Sequence, residues 1–218
     1  MKQLIIICEG QTEQEFCKKT LQPYFDKKNI LIHAPLIKKS GGGVVRWSLL
    51  RKQVEMHLQH EPNAFVTTFI DYYGINHTHE FPNWNVAQKI PDKNLRIQNL
   101  EQAMCSDVSP NLQYRFLPYL QLHEFEGLLF SDIKPFLMQI NDTDFKDKSG
   151  FKAIFENNPN PELINNNPET APSKRLENHI LGYHKIVYGN IIAESLGLAL
   201  IRSKCPRFNT WILKLEQI

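Results

Sequence analysis

Residues 3–8 (QLIIIC) form a short apolar, β-branched run, and the Glu-Gly-Gln-Thr that follows switches to helical spacing. This pattern predicts a buried strand followed by a helix. Thr12 and Glu15 have the spacing of a capping box, Phe16, Thr20 and Tyr24 share one face, and the helix is expected to end near Phe25. A second strand is expected at 30–37, a Gly-rich turn at 41–43, a helix at 45–60 and a third strand at 64–70 (AFVTTFI). The βαβαβ order is that of a parallel sheet covered by helices. Residues 71–92 carry Gly, Asn, His and Pro without periodicity and read as a long surface loop. A helix at about 94–106 and a fourth strand from Arg115 to Gln121 follow.

From residue 123 the spacing turns helical (HEFEGLLFSD, then IKPFLMQI). Between 157 and 168, six Asn and three Pro mark a loop or small insertion. Two helices are expected at roughly 185–202 and 206–216, with Pro206 at their boundary. Ile191, Ile192, Leu196 and Leu200 in the first of them suit either a completed core or a homo-oligomer interface. The expected fold is α/β: a mostly parallel sheet flanked by helices over 1–132, with a helical C-terminal extension over 133–218 packed on it.

Composition narrows the field. A chain of 218 residues with 42% hydrophobic content can bury a sizeable core. Lys and Arg number 25 against 23 Asp and Glu, so attraction to nucleic acid has to be local rather than a bulk charge effect. Cys8, Cys17, Cys105 and Cys205 form no CxxC pair, which argues against a zinc knuckle or a secreted disulfide framework and fits a reducing cytoplasm. The run at 4–8 is too short for a signal-peptide core, and the run at 191–201 is interrupted by Glu194 and Ser195, so a soluble protein without a membrane partner is expected.

In an open parallel sheet, ligands bind outside the carboxyl ends of the strands. Here those ends carry acids: Glu9 after the first strand, Asp71 after the third, and His123, Glu124 and Glu126 after the fourth. Oxygen ligands converging from three strand ends could hold Mg²⁺ or Mn²⁺ together with water and a substrate phosphate. An acid after a strand also commonly caps the next helix, and each position alone admits that reading. Glu9 is the most informative, because Gly10 permits a tight turn and Gln11-Thr12 already supplies a cap.

CEGQTEQEF (8–16), FIDYYG (69–74) and LHEFEGLLFSD (122–132) resemble a Toprim-like family catalogued as domain of unknown function 4276. The resemblance continues through PSKRL (172–176), YHKIVYG (183–189) and CPRFNTW (205–211), nearly the whole chain. It implies a Toprim-like, Rossmann-like fold with a glutamate after the first strand and an Asp-x-Asp after a later one. Together these bind a divalent metal for phosphodiester cleavage or transfer. It also implies a gene neighbourhood beside large ATPases in prokaryotic defence loci, hence an ATPase partner. Glu9 and Asp71 match the first two acids, but Tyr73 stands in place of the second aspartate, and a phenol is a poor Mg²⁺ ligand. Glu124 and Glu126 are the substitutes; two residues apart on a helix they do not share a face, so one is expected to point inward, with Glu124 favoured and Phe125, Leu128 and Leu129 facing the core.

His123 could act as a base, contact a phosphate or simply end a strand; neighbouring acids would raise its pKa. His77 and His79 are spaced like a metal pair but have no third ligand nearby and read as solvated. From 27 to 54 there are seven basic residues (Lys27, Lys28, Lys38, Lys39, Arg46, Arg51, Lys52) and no acid, a candidate phosphate footprint. Lys38-Lys39-Ser40-Gly41-Gly42-Gly43 is not a Walker A loop, and Trp47 could stack a base or pack in the core. Lys174, Arg175 and Lys185 form a second basic group, and Lys174 or Arg175 could stabilise charge on a scissile phosphate.

Three functions are compatible with these residues. The first is a metal-dependent nuclease, acting on DNA ahead of RNA, with Glu9, Asp71, Glu124 and Glu126 as ligands. The second is a non-catalytic regulatory or binding subunit of an ATPase-containing defence complex. The third is phosphoryl transfer to a nucleotide or small molecule.

Overall fold

The computed structural model describes residues 1–38, 43–165 and 167–218. Strand β1 (Lys2–Cys8) lies between β2 (Ile30–His33) and β3 (Ala64–Asp71), and every pairing in the sheet is parallel. Alternation along β1 divides its side chains between two layers. Leu4, Ile6 and Cys8 enter one apolar cluster, and Ile5 and Ile7 the other.

Glu9 and Gly10 turn the chain into α1 (Gln11–Phe16), which runs through a π-helical turn, Cys17–Leu21, into α2 (Gln22–Asp26). The expected helix is present, but its cap lies two residues earlier than the Thr12/Glu15 reading: Gly10 N–H donates to Glu13 Oε2 at 2.9 Å. The π turn, closed by Gln22 N–H to Cys17 O, adds one residue and rotates the remaining helical turns about their axis. Phe16, Cys17, Leu21 and Phe25 are therefore buried, instead of a stripe through Thr20 and Tyr24.

α3 (Trp47–His60) follows β2 as expected. The 71–92 segment contains only 3₁₀ turns and the short α4 (Trp84–Ala87) before α5 (Lys93–Asp107). α3 and α5 cover the Ile5/Ile7 face of the sheet through Leu50, Val54, Leu58, Ile97, Leu100 and Met104. Trp47 belongs to this core, its Nε1 donating to Asp107 Oδ2 at 2.7 Å. The fourth strand is split into β4 (Phe116–Leu117) and β5 (Leu120–Gln121), both paired to β3. Pro118, between them, has no N–H for the ladder. Thr68 Oγ1 bridges the gap, donating to Tyr119 O at 2.8 Å.

The remainder is helical: α6 (Lys134–Gln139), α7 (Lys148–Asn157), α8 (Pro172–His179), α9 (Lys185–Leu196), α10 (Leu198–Lys204) and α11 (Pro206–Leu215). The single helix expected at 185–202 is two, bent by 87° where Gly197 takes φ +74°. Phe208, Trp211, Ile212, Ile192 and Leu196 share one apolar cluster with Leu4, Ile6 and Phe16, so the C-terminal helices supply a layer of the core. Among the described residues no single helix is long and apolar enough to cross a membrane. All four cysteines are unpaired.

Candidate functional site

The carboxyl ends of β1 and β3 bring Glu9 and Asp71 together. Glu9 Oε2 accepts the Asp71 backbone N–H at 2.9 Å, and Asp71 Oδ1 accepts the Phe125 N–H at 3.0 Å. One hydrogen-bonded chain thus links β1, β3 and the segment after β5. A Cβ on Gly74 would lie 3.7 Å from Glu9 Oε1 and 3.2 Å from Val44, so glycine lets the turn after Asp71 pass close to the acid. Tyr73, where a second aspartate was sought, is 40% exposed and donates its backbone N–H to His123 O.

The two glutamates after β5 exchange the places expected for them. Residues Phe125–Ser131 form 3₁₀ turns, kinked at Phe130, that are buried throughout, with α8, α9 and α10 packed around them. An α-helix with one wet face does not occur there, and Glu126 is 0% exposed. Lys185 Nζ, from the first residue of α9, lies 3.1 Å from Glu126 Oε1, while Oε2 is buried with no hydrogen-bond partner among the described residues. Glu124 turns the other way. Its carboxylate accepts the Ser173 N–H at 2.9 Å and the Ser173 hydroxyl at 3.1 Å, capping the start of α8. Phe125, Leu128 and Leu129 are core residues as expected.

Electrostatics ties the acids into one group. Burial, then the charges of Glu13 and Glu126, push Glu9 up to about 7, against the pull of the Asp71 N–H and of Lys185. Burial, then Glu124 and Glu13, raise Glu126 to about 7 against the pull of Lys185. Asp71 is raised well above the carboxylate range by burial, Glu13, Glu9 and Glu126. Burial alone would lower Lys185, but Glu126, Asp71 and Glu13 raise it. Glu13 is the member of this group that the sequence reading missed; its signal was a glutamate three residues after Gly10.

The pH dependence has a definite sign. Glu9 and Glu126 hold protons more tightly folded than unfolded, so their contribution to stability is complete below the ordinary glutamate pKa and is lost as pH rises through about 7. With chelator present, Glu126→Gln should melt with wild type at pH 5 and above it at pH 8. Thermal denaturation at both pH values checks this, and a pH-independent difference would exclude it.

The other candidates are dispersed. His123 is buried in the left-handed region at φ +70°, and burial, then Lys93, lowers its pKa to about 4, the reverse of the rise expected from neighbouring acids. A neutral imidazole contacts phosphate only by hydrogen bonding. Lys174 is exposed and pairs with Glu177 at 2.6 Å. Arg175 is spent on carbonyls of Thr170 and Ile164, tying down the Asn/Pro-rich loop. Of the basic run, Lys38, Arg46 and Lys52 are exposed, Arg51 pairs with Asp107 at 2.9 Å, and Lys39 lies outside the described residues. Lys27 and Lys28 precede β2 at the amino edge of the sheet, opposite the acids, so the run is not one continuous footprint. His77 is exposed, and His79 Nδ1 accepts the Asn76 N–H.

Among the described residues, no three Asp, Glu, His or Cys side chains are drawn together as metal ligands, because Glu9 and Asp71 turn to backbone N–H groups and Glu126 to Lys185. The donor chemistry nevertheless fits a hard divalent cation: the carboxylates of half-buried Glu9 and of buried Asp71 and Glu126, the last with an oxygen that has no hydrogen-bond partner among the described residues.

Fold and site define an α/β protein with a buried acid cluster at the carboxyl edge of a parallel sheet. The chain belongs to the family described as Domain of unknown function (DUF4276), whose model matches residues 8–216. Comparison with curated proteins gives no match. Among solved structures it is similar to the C-terminal region of the Xanthomonas campestris pv. campestris OLD protein, with 15% identity, 97% of each chain covered and a TM-score of 0.40.

Proposed function

We propose that the chain is a nuclease that cleaves nucleic acid phosphodiesters with Mg²⁺ or Mn²⁺, DNA ahead of RNA. The observation that carries this reading is that Glu9, Asp71 and Glu126 stand at the carboxyl edge of the sheet, Glu9 half-buried and the other two buried, each with its pKa raised first by burial and then by neighbouring carboxylates. Like charges are gathered out of water in this way where a cation completes the site. Glu9, Asp71 and Glu126 would hold the ion, which when bound polarises a phosphoryl oxygen and offsets developing charge. Glu124 is a helix cap in this reading, not a ligand. Lys185, at the rim, and Lys38 and Arg46, on loops at the same edge, would take the charge of the phosphate backbone. The ATPase partner and defence context belong to the same proposal, the partner restraining or activating cleavage.

A second reading, a non-catalytic subunit of such a complex, draws on Tyr73 in place of an acid and on carboxylates not drawn together around an ion. Incubating the protein with supercoiled plasmid or single-stranded RNA in Mg²⁺ or Mn²⁺ separates the two. Cleavage lost in Glu9→Gln supports the nuclease. Cleavage that survives that substitution, or none at all with no Mn²⁺-induced rise in melting temperature, supports the subunit.

A further inference from the structure

We propose that Lys185 is a resident counter-cation: in the free protein it neutralises Glu126 from the place a divalent ion takes, and the ion must displace it. The inference rests on the cation-dependent reading above and accounts for the carboxylates not being drawn together. Three features support it. Glu126 is sealed at 0% exposure, whereas the Lys185 side chain is 44% exposed, so lysine can return to water while Glu126 cannot. The Lys185 charge acts on all three acids, pulling Glu9 and Glu126 down and being raised in turn by Asp71. Lys185 is also the first residue of α9, where the helix dipole disfavours a cation, so its place answers to the acids rather than to its own helix.

The carboxylates keep capacity for an ion once lysine leaves. Glu9 and Asp71 each commit one oxygen to a backbone N–H, and Glu126 Oε2 has no hydrogen-bond partner among the described residues. Displacement would leave a lysine at the rim, free to meet an anionic substrate.

Mn²⁺ binding by calorimetry at pH 8, with wild type, Lys185→Met and Glu9→Gln, tests this alongside acylation of Lys185 by an amine reagent, followed by peptide mass analysis. Removing a competing unit charge should tighten Mn²⁺ binding at least about tenfold, since unit charges 4 Å apart near a surface interact by more than the energy of one decade in Kd. In wild type, Mn²⁺ should raise the acylation rate of Lys185 severalfold, and Glu9→Gln should abolish that rise. The labelling needs no Lys185 variant, so it decides the matter if Lys185→Met fails to fold. Binding by wild type with equal or weaker binding by Lys185→Met, or with unchanged acylation, overturns the counter-cation role alone. Absence of Mn²⁺ binding in both proteins overturns the cation-dependent reading and this inference with it.

Discussion

Asp71→Asn is expected to give a protein that melts above wild type at pH 8 and, under the proposed nuclease reading, has lost most of its cleavage. The carboxyl is buried, and its neighbours Glu13, Glu9 and Glu126 add like charge, so its ionised form is costly in the folded state. Asn keeps an Oδ1 to accept the Phe125 N–H, so the link between β3 and the 3₁₀ turn survives while the charge goes. Removing a buried charge from among like charges should therefore stabilise the fold at pH 8. The gain should shrink toward low pH, where wild-type Asp71 is protonated too. Cleavage should fall at least about a hundredfold, the lower end for removing one transition-state-stabilising group. Denaturation curves and a plasmid assay on the same preparation check both halves. A variant that loses activity and stability together would make Asp71 a structural residue.

The parallel sheet was legible in the sequence because β1 and β3 are short apolar runs bounded by turn residues, and α3 and α5 have their own periodicity. Glu9 and Asp71 were legible for the same reason: strand ends are fixed by the runs that precede them. Glu126 was not. Choosing between it and Glu124 assumed an α-helix with a wet face, and tertiary packing replaced that with a 3₁₀ turn enclosed on all sides, with Glu124 claimed by the start of α8. No local pattern encodes that α9 returns to set Lys185 against Glu126. Glu13 was hidden by placing the cap two residues late, which also concealed the π turn.

A different long-range contact should dominate stability. Arg115 is 7% exposed, and its guanidinium donates to Leu58 O and Ala64 O at 2.8 Å and to Glu61 O at 3.0 Å. These carbonyls end α3 and begin β3, where the helix dipole favours a cation. Hydrogen bonds from a charged donor are worth about 1.5–3 kcal/mol each, and the buried Leu58 and Ala64 carbonyls would lose that donor, whereas Glu61 O keeps the Ala64 N–H at 3.0 Å. Arg115→Met, which keeps apolar bulk, should therefore lose on the order of 4 kcal/mol, a melting temperature lower by roughly 8–16 °C for a chain of this size. Arg115→Lys keeps the charge but not the fork that reaches three carbonyls, so it should recover only part of the loss. Thermal denaturation of both variants decides the point: full rescue by lysine would assign the effect to charge at the end of α3, and a loss below about 1 kcal/mol in Arg115→Met would mean that water replaces the guanidinium.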